Sequence, residues 1–141
     1  MALATAGCRC PLLWDECRIV SFDCGRGRSI DLYVDSLCDV YTFIQYRVRD
    51  GRRVVAPMTG TGLGFSCGDW DHGFSPSAYR LVADDTGNLV AVTFMDPDQG
   101  ETVALVFDFD QEKSIVRAPD PAAWEFPREV LERLGLSASE P

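Results

Sequence analysis

The sequence predicts an all-β (β-dominated) domain: an antiparallel meander forming a sandwich, barrel or blade-like sheet, with a short C-terminal helix. Three observations carry this expectation. Apolar and polar residues alternate with period two, most cleanly at Ser29–Asp35 and Thr102–Phe109. Turn clusters rich in Asp, Gly and Asn break the later part of the chain at spacings of about 12 residues. The helical stripe the chain does show, Val130, Leu131 and Leu134, is short and lies near the C-terminus. With 141 residues and 46% hydrophobic side chains, residues 1–141 suffice for a single domain with its own core, and wholesale disorder is excluded.

Residues 1–16 show no clear period and are expected to form an irregular arm, with Leu12, Leu13 and Trp14 docked on the core. The β-sheet core is expected over 17–118. Cys17–Asp23 reads as its first strand, ending at the turn Cys24-Gly25-Arg26-Gly27. In Ser29–Asp35, Ile30, Leu32 and Val34 share one face and Ser29, Asp31, Tyr33 and Asp35 the other, a half-buried strand. Cys38–Arg49 is a longer β-rich run. Asp50-Gly51 has the residues of a type I′ turn, and Arg52–Ala56 is the return strand. Seven Gly and Pro residues then mark 57–77 as a long irregular loop, of the kind that usually carries function. Strands follow at Ala78–Ala83, Leu89–Met95, Thr102–Phe109 and Ser114–Arg117. The continuous apolar run Leu89–Phe94 predicts a central strand covered on both faces. In Thr102–Phe109, Val103, Leu105, Phe107 and Phe109 are expected to face one way. Pro127 and Gly135 bracket a short helix over 127–135.

Net charge is −9, and it is unevenly spread: residues 1–57 carry +1 and residues 58–141 carry −10. An acidic balance opposes nucleic-acid binding, where neutralisation of phosphates by Lys and Arg supplies most of the affinity. It equally opposes an anionic membrane surface. The positive reading is a face that steers toward a basic protein. Six cysteines, Cys8, Cys10, Cys17, Cys24, Cys38 and Cys67, fit disulfides in an oxidising compartment but allow fifteen pairings. No basic, apolar leader precedes them, so the chain as written is expected in the cytoplasm. A start lying upstream would make it periplasmic.

The densest chemical cluster is Cys67-Gly68-Asp69-Trp70-Asp71-His72-Gly73. His72 is the single histidine, so a small hydrolase would have to pair it with Cys67, and no Gly-x-Ser-x-Gly elbow surrounds either. Recognition is the preferred reading, with Asp69, Trp70, Asp71, His72, Phe74 and Ser75 as partner-binding residues. No metal is expected: the Cys8/Cys10/Cys17/Cys24 spacing departs from zinc knuckles. The segment Asp96–Glu101 has Phe107 where a calcium loop needs a bidentate Glu. No cofactor is expected either, since Gly60-Thr61-Gly62-Leu63-Gly64 lacks the Lys-Ser/Thr of a phosphate-binding loop.

The segment Tyr79-Arg80-Leu81-Val82-Ala83-Asp84-Asp85-Thr86-Gly87-Asn88-Leu89-Val90, continuing to Phe107-Asp108, resembles the hairpins of bacterial immunity proteins. These neutralise toxins delivered by type VI secretion or contact-dependent systems. The resemblance implies a non-enzymatic inhibitor that occludes the active site of a cognate toxin. Members directed against peptidoglycan amidases are periplasmic and often hold disulfides. The alternatives are a non-catalytic protein- or carbohydrate-binding accessory module and the Cys67/His72 hydrolase.

Overall fold

The computed structural model describes residues 18–34, 41–66, 73–98, 100–115 and 126–136. Among the described residues, eight strands form two antiparallel meanders. β1 (Arg18–Gly25), β2 (Arg28–Val34), β3 (Tyr41–Asp50) and β4 (Arg53–Ser66) make the first sheet in chain order. β5 (Tyr79–Ala83), β6 (Leu89–Asp96), β7 (Gly100–Asp108) and β8 (Lys113–Ile115) make the second. A short helix, α1 (Arg128–Arg133), follows. Of the three forms expected, the two-sheet sandwich is the one observed.

The inward faces interlock in one core. Ile30, Leu32 and Val34 of β2 and Ile44, Tyr46 and Val48 of β3 pack with Val90, Val92 and Phe94 of β6 and Leu105 and Phe107 of β7. β6 is buried on both faces, as its unbroken apolar run predicts. Its outward Leu89 and Ala91, with Val106 of β7, lie beneath Phe126, Leu131, Leu134 and Leu136. The helix ends in a Schellman arrangement. The Leu136 amide donates to the Leu131 carbonyl (2.8 Å) and the Gly135 amide to Glu132 (3.0 Å), with Gly135 at φ 70°.

Four details of the sequence reading are corrected. The long loop expected over 57–77 is strand as far as Ser66. β4 is an edge strand, and its pairing with β3 slips in register at three places, so extra residues and Pro57 are absorbed as bulges. The β3–β4 turn is Gly51-Arg52, because Asp50 still pairs with Arg53. φ is positive at Gly51 (63°) and not at Arg52, the type II′ pattern rather than I′. Val103 does not share a face with Leu105: a register shift opposite Val92–Thr93 inserts one residue into β7, so Val103 packs under α1. Finally, Asp31 and Tyr33, read as the open face of β2, are both 0% exposed.

Acidic turn residues are used structurally. Asp23, Asp84, Asp96 and Asp108 each accept the backbone N–H two residues on. This is the Asx turn, and three of the four recur twelve residues apart. Asp84 does most: its Oδ1 takes the Thr86, Gly87 and Leu89 amides and the Thr86 hydroxyl, while Oδ2 takes Arg133 of α1 at 2.7 Å. Burial alone would raise the Asp84 carboxyl. The hydrogen bonds from Thr86, Arg133 and Leu89 outweigh it and hold the pKa at about 2. A depressed carboxylate stabilises the fold above its unfolded pKa, about 4, and loses that contribution as pH falls toward 2. Acid titration of stability is therefore expected to be steeper in the natural chain than in Asp84→Asn, and equal slopes by circular dichroism would refute it.

Cys24 is a free, half-buried thiol, and burial pushes its pKa up to about 11, which leaves it unreactive. The other five cysteines lie outside the described residues.

Candidate functional site

The two ends of the sandwich differ. At one end, the turns 26–27, 51–52, 84–88 and 109–112 are laced together. Arg28 is 8% exposed and donates to the carbonyls of Gly25, Cys24 and Gly87 and to Asn88 Oδ1 (2.8 Å), with its guanidinium 4.2 Å from the centre of the Phe109 ring. Arg26 also donates to Asn88, Arg53 pairs with Glu112, and the Gly51 amide donates to the Gly27 carbonyl. This end is a structural staple.

The other end carries the termini of β4 and β6 and the start of β5. Phe94 stacks edge-on against Phe65 (centroids 4.9 Å) and tilted against Tyr79 (5.2 Å). The Tyr79 hydroxyl donates to the Gly73 carbonyl at 2.6 Å, and burial pushes its pKa well above the ordinary tyrosine value, so it remains a donor. Gly73 is buried, and any Cβ there would collide with the Phe65 ring. Both flanks of segment 67–72 are thus anchored in the core: Phe65 just before it, Gly73 just after. Gly73→Ala is expected to destabilise the chain by about 2 kcal/mol through overpacking, measured by denaturant unfolding. The turn joining β6 and β7 lies at the same end, with Asp96 and Asp98, and Met95 beside it is 53% exposed.

Among the expected partner-binding residues, Phe74 and Ser75 are described. Phe74 is half-buried against the inter-sheet core, so it anchors the segment from below. Ser75 shares a hydroxyl–hydroxyl bond with Ser77 (2.9 Å), and its carbonyl accepts the Ala78 amide, opening a 3-10 turn at Pro76–Ala78. Asp69, Trp70, Asp71 and His72, and Cys67 of the hydrolase alternative, lie outside the described residues. Among the described residues, no three His, Cys, Asp or Glu side chains are placed to hold a metal ion. Of the calcium-like run, Glu101 is held by Arg80 and by the Thr93 hydroxyl (2.7 Å), hydrogen bonds that lower its pKa.

Charge segregates by sheet. Described residues of the first sheet and its turns hold seven arginines against three aspartates; those of the second sheet and α1 hold four basic and ten acidic residues. The sequence reading missed one cluster on the outer face of the first sheet. There Asp31, Tyr33 and Ser21 meet Arg47 and Arg49 of β3. The available signal was the Arg47-Val48-Arg49 alternation, which puts two cations on one face beside a strand bearing Asp31. Among the described residues no helix is long and apolar enough to cross a membrane. No protein-family model, no curated protein and no solved structure matches this chain.

Proposed function

We propose that this protein is a non-enzymatic, immunity-type inhibitor that docks on a basic partner protein and occludes the active site of a cognate bacterial toxin. The segregation of charge carries the reading. The acidic half of the molecule sets up a field that steers a cationic protein, and the acidic β6–β7 turn stands at the end from which segment 67–72 leaves. Asp69 and Asp71 add charge to that segment, and Trp70 offers the apolar anchor that interface hot spots require.

The test is co-expression with the product of the adjacent gene. That product is expected to arrest growth when expressed alone and to be neutralised by this chain. Association of the purified pair slows as salt rises, because exposed charges are screened beyond about 8 Å at physiological ionic strength. Trp70→Ala raises the off-rate, costing about 2 kcal/mol or more, while His72→Ala has little effect. A neighbour without toxicity, or salt-independent association, would sink the proposal. Substrate turnover abolished by His72→Ala would establish the hydrolase instead.

A further inference from the structure

The cluster on the outer face of the first sheet is short of acceptors and of negative charge. Asp31 is fully buried and saturated. Its Oδ1 accepts from Ser21; its Oδ2 accepts from Arg47 Nη2 (3.4 Å) and the Tyr33 hydroxyl (3.5 Å) and lies 3.1 Å from Arg49 Nη2. The two guanidiniums are far from saturated. Each carries five N–H groups. Arg47 makes one further bond, from Nη2 to the Tyr33 oxygen at 2.8 Å. The Nε of both arginines is buried with no acceptor. Two cations against one carboxylate leave a net +1. The other two described aspartates of this sheet are engaged elsewhere, Asp23 by the Gly25 amide and Asp50 by Arg53 at 3.7 Å.

We propose that Arg47 and Arg49 form a binding site for an oxyanion, a phosphate or a carboxylate group, with Asp31 as the positioning residue that holds the two guanidiniums side by side. The register places Arg47 directly opposite Asp31, and Arg49 two residues along the same face of β3. Arg47 is further held against the Tyr33 ring, 5.4 Å from its centroid. Guanidinium forks match the oxygen geometry of both groups, and an incoming anion supplies the charge this cluster lacks, with acceptors for the N–H groups that solvent reaches beyond the buried Nε atoms. The arginine side chains are 25% and 34% exposed, so the pair is reachable from solvent. This site is separate from the partner-binding end and does not rest on the proposed function.

The experiment is an NMR titration of the arginine Nε–Hε resonances of the full chain. Sodium phosphate and sodium acetate are added in parallel, against sodium chloride at matched ionic strength. The Arg47 and Arg49 signals are expected to shift with saturation while that of exposed Arg52 stays still. A phosphate-selective response assigns the ligand as a phosphate, and an equal response to acetate assigns a carboxylate. Arg49→Gln is expected to weaken the response ~tenfold and Arg49→Lys nearly as much, because lysine keeps the charge but not the fork. Arg52→Gln leaves it unchanged. No saturating shift in either arm, or equal shifts at Arg52, overturns the proposal and leaves a purely structural ion cluster.

Discussion

Phe94→Ala is expected to lower folding stability by about 4 kcal/mol, among the largest effects of any single substitution in this chain. Phe94 is 1% exposed and lies where both halves of the fold meet. Its ring contacts Phe65 of the first sheet and Tyr79 of β5, which in turn holds Gly73. Truncation removes the transfer free energy of a whole ring and leaves a cavity between two sheets that are each held by their own ladders and cannot easily collapse into it. In a domain of this size the loss corresponds to roughly 10 °C in Tm. Calorimetry or denaturant titration reads it directly, and a loss under about 1 kcal/mol would show that the inter-sheet core is not organised as described.

Arg28→Met is expected to cost about 3 kcal/mol, chiefly by unlatching the stapled end. The substitution keeps the apolar stem but removes the guanidinium that covers the Phe109 ring, and with it four hydrogen bonds, three of them to backbone carbonyls. Arg26→Gln is the matched control. Arg26 reaches the same Asn88 from an exposed position, and its loss is expected within about 0.5 kcal/mol. Hydrogen exchange adds a local signature: the Phe109 amide, bonded to the Asn88 carbonyl, should lose protection in Arg28→Met and keep it in Arg26→Gln. Equal effects of the two substitutions would contradict the staple.

Much of this fold is legible in local pattern. Alternation at Ile30, Leu32 and Val34 identifies the inward face of β2, and the apolar run of β6 announces its double burial. Gly135 marks the end of α1, because a left-handed residue without a Cβ closes a helix at little cost. The misreadings share a cause. Pro57, Gly60 and Gly64 look like loop residues, since sequence patterns do not reveal that a strand is at an edge, where bulges and a missing amide are tolerated. Alternation puts Val103 on the face of Leu105, but one bulged residue in β7 reverses everything on one side of it.

The candidate sites divide in the same way. The sequence by itself determined the acidic excess, the places of the acidic turns, and the Cys67–Gly73 motif as the densest chemistry in the chain. These are properties of residue type and short spacing, which need no partner to be read. Tertiary structure alone decided that Phe74 packs on the core, that the basic residues of the first sheet separate from the acidic ones of the second, and that Asp31 is a buried carboxylate between two arginines. That cluster joins residues on neighbouring strands, ten to eighteen positions apart in the chain, and only the cross-strand register sets them face to face. Long-range pairing is where the physics of burial and charge acts, and no local period encodes it.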